Sequence, residues 1–197
     1  MFTEIGTQVS DDDRRRLFRL ASMLLDYPDD ELLAATPRLA DSAAELEDPG
    51  LRSRITSFLV WFGASQPEDV QRHYERLFGL KDGPSLNLVT EDPTIDGDAE
   101  VRGAALLALE EGYRANGWGH GDRQLPDFLP FVLDFAAVLG PGAGEAPLRR
   151  HRAGIAQLRH DLEVQRSPYA HVVIAVDDVL PAPTRTPQEQ DGHAVSR

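Results

Sequence analysis

Cysteine is absent from the 197 residues, and Lys81 is the single lysine among 20 basic residues. Without cysteine the chain has no thiolate to hold zinc or an iron–sulfur cluster, to form a disulfide or to act as a nucleophile. A single lysine leaves little room for a phosphate-binding loop or for Schiff-base chemistry. These two absences exclude many common metal sites and lysine-dependent enzymes.

Basic residues are few relative to acidic ones. The chain has 33 aspartates and glutamates against 20 lysines and arginines, so its formal net charge is −13. Binding to nucleic acid or to an anionic membrane surface needs a basic face, which this charge disfavours. We therefore expect no nucleic-acid partner, and a basic segment of another protein is the electrostatically natural partner.

Long apolar runs are also missing. No window approaches the roughly 18 uninterrupted apolar residues of a membrane-spanning helix. The first residues, MFTEIGTQVSDDD, lack the basic start and apolar stretch of an export signal. We expect a cytoplasmic protein without direct membrane insertion, with a flexible acidic N-terminus at 1–12 and a disordered Pro-rich tail at 181–197.

Helical periodicity dominates the segment between these ends. Apolar residues recur at helical spacing, and Pro, Gly and acidic capping residues interrupt them. The longest stretch without helical pattern is 79–98, and a loop of that length is usually functional or mobile. The sequence predicts one all-α domain, 13–180, a helical bundle of about seven to nine helices that include 99–116, 125–139, 146–166 and 168–180.

The predicted helix 125–139 carries more apolar surface than one packed face needs. One stripe consists of Leu125, Leu129, Val132, Leu133, Ala136 and Leu139, and a second stripe beside it of Phe128, Phe131, Phe135 and Val138. A surface helix normally shows an apolar stripe of only about 100° or somewhat more. The helix is either central and surrounded by its neighbours, or part of the Phe stripe lines a groove for a partner helix. The two interpretations are compatible, because one face can pack while the next stays open. Pro130 is expected to kink its first turn.

Two motifs suggest other chemistry. His160-Asp161 is the dipeptide of all-α metal-dependent phosphohydrolases, in which His120 and Asp177 would complete the metal site. On a helical wheel, however, the dipeptide faces away from the buried stripe that contains His151, and we expect His151 to be a packed, hydrogen-bonded histidine. The phosphohydrolase remains an alternative, as does a generic helical adaptor, but no catalytic motif supports an enzyme.

The loop from Asp92 begins like a calcium-binding loop. Its twelfth position should be a bidentate carboxylate but is Gly103. The segment is better interpreted as a helix entrance, in which Asp96-Gly97 turns the chain and Asp98 caps the helix. No metal site is predicted.

Three segments together resemble a known family. The first is Leu24-Leu25-Asp26-Tyr27-Pro28-Asp29. The second is Tyr74-Glu75-Arg76-Leu77-Phe78, followed by Ser85-Leu86-Asn87-Leu88, Gly97-Asp98 and Arg102-Gly103. The third is the run from Leu125 to Phe135, LPDFLPFVLDF. In order and spacing they resemble the NarJ-type nitrate reductase maturation chaperones (the delta subunit), within the TorD/DmsD group of redox-enzyme chaperones. The resemblance covers residues from about 15 to 180. It departs at Asp96, because family members carry a histidine before Gly-Asp.

The resemblance implies an all-helical cytoplasmic protein that is not part of the mature enzyme. Such a chaperone binds the N-terminal segment of the apo catalytic subunit of respiratory nitrate reductase. It holds that subunit competent for insertion of the molybdenum bis-pterin guanine dinucleotide cofactor and an iron–sulfur cluster before membrane assembly. It binds no cofactor stably itself. We expect a monomer or weak homodimer.

Candidate site residues follow from the apolar helix and from the resemblance. The predicted peptide-binding residues are Leu125, Asp127, Phe128, Leu129, Phe131, Val132, Asp134 and Phe135, together with Tyr74 and Phe78. Asp98, Arg102 and Gly103 are predicted to have a structural or hinge role. No catalytic residue is predicted.

Overall fold

A computed structural model describes residues 9–80, 83–95, 98–119 and 125–181. The predicted tail lies outside the described residues except for Pro181, and the predicted flexible N-terminus lies outside them except for 9–12. Within the described residues there are eleven helices and no strand. They are α1 (Asp11–Leu24), α2 (Asp30–Ala34), α3 (Thr36–Ala44), α4 (Pro49–Ala64), α5 (Pro67–Phe78), α6 (Leu88–Glu91), α7 (Ala99–Ala115), α8 (Leu129–Leu139), α9 (Ala146–Arg150), α10 (Arg152–Val164) and α11 (Tyr169–Val179).

The all-α prediction is confirmed, and side-chain caps begin several of the helices. Ser10 accepts a hydrogen bond from the Asp13 N–H at 3.1 Å, and Asp48 accepts one from the Leu51 N–H at 2.9 Å. Asp98 accepts from the N–H groups at the start of α7, as predicted. Capping in this way satisfies amide donors that have no partner within the helix. The count exceeds seven to nine because α2, α6 and α9 are single-turn helices of four or five residues.

The core forms around α1, α8 and α11. Helix α1 packs along α8, and α11 contacts α4, α10 and α1. Nine of the eleven residues of α11 are buried, including the β-branched run Val172-Val173-Ile174. That run is locally ambiguous between helix and strand, and burial on all sides stabilises it as a helix.

A buried ion pair joins α1 to the segment before α9. The Arg14 guanidinium donates to both carboxylate oxygens of Glu145, with 2.8 Å from Nε to Oε1, and also to the carbonyl of Val179. Only 13% of the Arg14 side chain and 4% of the Glu145 side chain are exposed. The two parallel hydrogen bonds to Glu145 hold α1 against the segment before α9, and the bond to Val179 holds it against the end of α11.

Two predicted helix boundaries are wrong. Helix α8 begins at Leu129 rather than at 125, and Pro130 occupies its first turn, where a missing N–H costs nothing, so the predicted kink does not form. The predicted helix 146–166 is divided into α9 and α10 at His151. The side chain of His151 bonds across to Asp92, which anchors the chain at this break.

Candidate peptide-binding groove

The first apolar stripe of α8 is core. Leu129, Val132, Leu133 and Ala136 are completely buried, and α1 lies along this face. The interpretation of the helix as packed and central is therefore correct for these four residues, whereas Leu125 of the same stripe is exposed. Leu129, Val132 and Phe135, three of the predicted peptide-binding residues, have no exposed surface or almost none.

The second stripe is covered at Phe135 and more open towards both ends, where Val138 is 47% exposed. Phe135 is buried against Tyr113 and Trp118, with ring centroids 4.8 and 5.8 Å away. Tyr113 also lies edge-on to Phe131 at 5.1 Å, so helix α7 covers this part of the stripe. Phe128 and Phe131 remain partly exposed at the start of α8.

Phe128 lies where two adjoining pockets meet, and together they form what we call the Phe128 groove. One pocket, of about 320 Å³, is lined by Tyr27, Tyr74, Glu75, Phe78, Gly79, Ser85, Leu86, Asn87 and Phe128. The other, of about 240 Å³, is lined by Arg19, Ser22, Met23, Asp26, Phe128, Pro130, Phe131 and Asp134. Tyr74 and Phe78, predicted from a distant segment, thus lie in the same groove as Phe128.

One wall of the groove is aromatic. The Tyr74 ring lies edge-on to Tyr27 at 5.5 Å between centroids and 4.9 Å from Phe78. The Tyr74 hydroxyl donates to the Leu25 carbonyl at 3.2 Å, and burial raises the pKa of this phenol above its ordinary value. The hydroxyl therefore stays protonated and holds α5 against the end of α1.

The floor of the groove is a short pairing of two extended segments. The Leu88 N–H donates to the Asp127 carbonyl at 3.0 Å, and the Leu129 N–H donates to the Leu86 carbonyl at 2.7 Å. The isolated bridge between Asn87 and Phe128 belongs to the same pairing. The chain therefore turns at 126–127, and the backbone hydrogen bonds of 127–129 to 86–88 position Phe128 in the groove.

Asp127 lies beneath this floor. It is 1% exposed, and its Oδ2 accepts a hydrogen bond from the Val89 N–H at 3.0 Å. Burial raises the pKa of Asp127, while the hydrogen bond from Val89 and the charges of His151 and Arg102 act in the opposite direction. Asp127 stabilises the start of α6, and in this structure its carboxylate is not accessible to a peptide.

A buried histidine contacts Asp92, the residue that follows α6. His151 is 2% exposed and its Nδ1 lies 3.3 Å from Oδ2 of Asp92, as expected for a packed, hydrogen-bonded histidine. Burial lowers the pKa of His151, although the hydrogen bond to Asp92 opposes this. A Cβ on Gly154 would lie 2.5 Å from the Leu88 carbonyl oxygen, so α10 approaches α6 closely. These contacts fix α6 under the groove.

The charged side chains in the groove are mainly acidic. Asp26, Glu75 and Asp134 line it together with one cation, Arg19. Arg19 forms an ion pair with Asp134. Carboxylates thus do gather beside the open end of the Phe stripe, which composition alone left undecided.

The remaining predicted residues lie at the edge of this site or away from it. Leu125 is 52% exposed and precedes the floor segment. Arg102 and Gly103 lie in the first turns of α7, where a Cβ on Gly103 would meet no atom within 4 Å. Met23, Tyr27 and Leu86 line the groove but were not predicted as site residues, although Tyr27 and Leu86 lie in segments that carry the family resemblance.

The phosphohydrolase metal site and the calcium-binding loop have no support among the described residues. His160 is exposed, and the carboxylate of Asp177 is held by Arg152 and Arg159. His120 and the Asp96-Gly97 turn lie outside the described residues. In the ranges that the structure describes, no three metal-binding side chains come together, and no helix is long and apolar enough to cross a membrane.

The all-helical fold is shared with a solved structure. The "Crystal Structure Of A Putative Redox Enzyme Maturation Protein From Archaeoglobus Fulgidus" superposes with a TM-score of 0.60 and 19% identity over 83% of this chain and 91% of that one. At this identity the likeness shows the fold alone. The family model of the nitrate reductase delta subunit matches residues 41–175, and the chain belongs to this family.

Named relatives agree with this membership. The chain is 30% identical over 166 residues to the "Probable nitrate reductase molybdenum cofactor assembly chaperone NarJ" of Bacillus subtilis, covering 83% of this chain and 89% of that protein. It is 28% identical to the NarJ chaperone of Escherichia coli K12, covering 77% and 64%. It is also 33% identical to the nitrate reductase-like protein NarX of Mycobacterium tuberculosis H37Rv, covering 81% of this chain and 24% of that protein. The family consists of assembly chaperones, so the prediction of a non-enzyme is confirmed.

Proposed function

We propose that this chain is a chaperone for the assembly of nitrate reductase and that the Phe128 groove binds the N-terminal segment of the apo catalytic subunit. The observation that carries the proposal is the open end of the Phe stripe. Phe128 and Phe131 remain partly exposed although most of the apolar residues of α8 are packed into the core. An apolar surface left open beside a well-packed core is typical of a site for another protein.

The dimensions of the groove suit a peptide. Two pockets of about 320 and 240 Å³ share Phe128, so one segment crossing that ring contacts both, with its apolar side chains against the aromatic residues. Burying two or three such anchors contributes about 1.5–3 kcal/mol each. After the cost of ordering the peptide, this is consistent with micromolar affinity, about −8 kcal/mol.

The predicted site residues have two different tasks in this proposal. Phe128, Phe131, Tyr74 and Phe78 contact the segment, with Leu125 and Asp134 at the edges of the groove. Asp127, Leu129, Val132 and Phe135 lie underneath and hold the contacting residues in place. Asp98, Arg102 and Gly103 have a structural role at the start of α7, the helix that covers Phe135.

The chaperone assists cofactor insertion by holding its client rather than by holding the cofactor. We propose that the bound subunit stays competent for insertion of the molybdenum bis-pterin guanine dinucleotide and an iron–sulfur cluster before membrane assembly in the cytoplasm. The charge of −13 disfavours direct binding of the anionic cofactor. The proposed state is a monomer or weak homodimer.

Calorimetric titration with a synthetic peptide of the catalytic subunit's N-terminus tests the proposal. The wild-type chain should bind with micromolar affinity, and Phe128→Asp should abolish the heat of binding. Val60→Asp is the matched control, because Val60 is 65% exposed on α4 and does not line the groove. Circular dichroism must show that both variants are folded. Absence of binding to the folded wild-type chain would refute the proposal and favour a different client.

A further inference from the structure

We propose that a second pocket, which we call the Phe135 pocket, binds an acidic segment of a partner protein that inserts one bulky apolar side chain. The pocket has a volume of about 200 Å³ and lies between α7, the end of α8 and α9. No described residue lines both this pocket and the Phe128 groove. The two surfaces can therefore be occupied at the same time, and the inference goes beyond the proposed function.

The interior of the pocket is apolar. Leu109 and Phe135 form its floor, and they are 4% and 1% exposed. The exposed rim includes Gly112, Ala143 and Ala146, which are small enough to let another backbone approach closely. A Cβ on Gly112 would meet no atom within 4 Å, so none of the described residues closes the pocket at this point.

The size of the pocket favours a side chain over a small-molecule ligand. Sites for cofactors and other small molecules usually measure about 300–1,000 Å³. The Phe135 pocket, at about 200 Å³, lies below this range. A small apolar pocket that accepts one large side chain is instead typical of protein–protein contacts, in which a few buried anchors dominate the binding energy.

Arg150 gives the rim a positive charge. Among the described residues of the lining it is the single charged one, and it is exposed in the last turn of α9. Arg149 and Arg152, close by in sequence, are each paired with a carboxylate. Arg150 itself forms no hydrogen bond or ion pair with any residue that the structure describes. An unpaired guanidinium beside an apolar pocket attracts a carboxylate and disfavours a basic segment, although the net charge of the whole chain is −13.

Asn116 adds a neutral donor to the same rim. Its side-chain Nδ2 donates to the Gly112 carbonyl at 2.8 Å, and a carboxamide nitrogen carries a second hydrogen. Arg150 and Asn116 thus provide hydrogen-bond donors next to the apolar floor. This arrangement suits a leucine, methionine or phenylalanine that is flanked by aspartate or glutamate.

Three capped tripeptides test the inference by NMR titration of the isotope-labelled full-length chain. Ac-Glu-Leu-Glu-NH2 carries both features, Ac-Gln-Leu-Gln-NH2 lacks the charge, and Ac-Glu-Ala-Glu-NH2 lacks the bulky side chain. The first peptide should shift the backbone amide signals of Gly112, Asn116 and Ala143 with millimolar affinity, as expected for a single anchor. At low salt the glutamine peptide should bind about two- to fivefold more weakly, and this difference should shrink at high salt. The alanine peptide should cause no saturable shift.

Two variants separate the apolar contact from the charge. Gly112→Leu fills the pocket from α7 and should abolish binding of the acidic leucine peptide, while the exposed position and the high helix propensity of leucine keep the helix intact. Arg150→Gln should weaken that binding about two- to fivefold and leave binding of the glutamine peptide unchanged. Arg114→Gln is the control, because it makes the same change of charge at an exposed residue of α7 that does not line the pocket.

Equal affinity for the glutamate and glutamine forms of the leucine peptide at low salt would overturn the inference. Unchanged signals of Gly112, Asn116 and Ala143 with all three peptides would overturn it too. Light scattering tests a second copy of this chain as the occupant: a wild-type dimer that Gly112→Leu converts to a monomer would refute the assignment to a partner protein. None of these outcomes affects the proposed function, because they concern a different surface.

Discussion

Asp127 and Val89 are joined by a buried hydrogen bond, 3.0 Å from the Val89 N–H to Oδ2 of the carboxylate. Val89 is the second residue of α6, so its N–H has no partner within the helix. A residue thirty-eight positions later in the chain therefore caps α6. This bond fixes α6 against the floor of the Phe128 groove and gives the aspartate of the Leu-Pro-Asp-Phe motif a structural task.

Removing that carboxylate should destabilise the fold. Asp127→Ala leaves the Val89 N–H buried without an acceptor, which costs about 1–3 kcal/mol. Asp127→Asn keeps an oxygen acceptor without the buried charge and should cost less. The measurement is the free energy of unfolding from urea denaturation, compared among the three proteins.

Asp134→Ala is the control for this prediction. Its carboxylate is 33% exposed and pairs with Arg19 at the surface, so its loss should cost less than about 1 kcal/mol. If Asp127→Ala were as stable as Asp134→Ala, the capping role of Asp127 would be wrong.

His151 should make the fold sensitive to acid. Burial lowers the pKa of His151 below its ordinary 6.5, so between the lowered value and 6.5 the unfolded chain binds more protons than the folded one. The free energy of unfolding must then fall as the pH is lowered through this window, by at most about 1.4 kcal/mol per pH unit for one proton. His151→Gln should flatten this part of the curve.

The slope of the free energy of unfolding against pH is compared among variants, because other groups also titrate. Asp127 has the opposite sign: its raised pKa means that stability falls as the pH rises from the ordinary aspartate range to the raised value. His160→Gln serves as the control, because His160 is exposed on α10, the helix that follows His151. A His151→Gln curve parallel to the wild-type curve below pH 6.5 would contradict the prediction.

Replacing a helical glycine by alanine should stabilise the fold in α7 and destabilise it in α10. A Cβ at Gly103 or Gly112 in α7 would meet no atom within 4 Å, so alanine should stabilise the fold by roughly 0.5–1 kcal/mol at each position. A Cβ at Gly154 in α10 would lie 2.5 Å from the Leu88 carbonyl oxygen, so Gly154→Ala should destabilise it by about 1–3 kcal/mol.

Thermal unfolding of the three alanine variants measures this difference. Each variant changes one hydrogen to a methyl group in a helix, so the tertiary neighbour alone distinguishes them. Destabilisation by Gly112→Ala would show that α7 packs more tightly than its open surroundings indicate.

Local patterns predicted the helices well where caps and periodicity agreed. Asp98 begins α7 as expected, since an aspartate cap acts on the amides two and three residues later. The start of α8 was predicted four residues too early, because Leu125 and Phe128 continue the apolar periodicity although 126–127 form a turn and 127–129 pair with 86–88. Periodicity does not distinguish a helical residue from an extended one that pairs with a distant segment.

The site was predicted only in part for the same reason. Phe128 and Phe131 could be identified, since the wheel of α8 shows more apolar surface than one contact face needs. Neither the wheel nor the motif indicates that α7 covers Phe135. Asp127 and Asp134 are seven residues apart on the same apparent helix, yet one is buried beneath the floor and the other faces the groove.

By itself the sequence determined the composition-level properties of this protein: an all-α chain without cysteine, with a net charge of −13 and an apolar segment too wide for one packed face. These depend on residue type and short-range spacing. The tertiary structure alone decided which carboxylates are exposed and which aromatic side chains of the Phe stripe remain accessible. Those properties depend on contacts between residues far apart in the chain, such as Asp127 with Val89 and Tyr27 with Glu75.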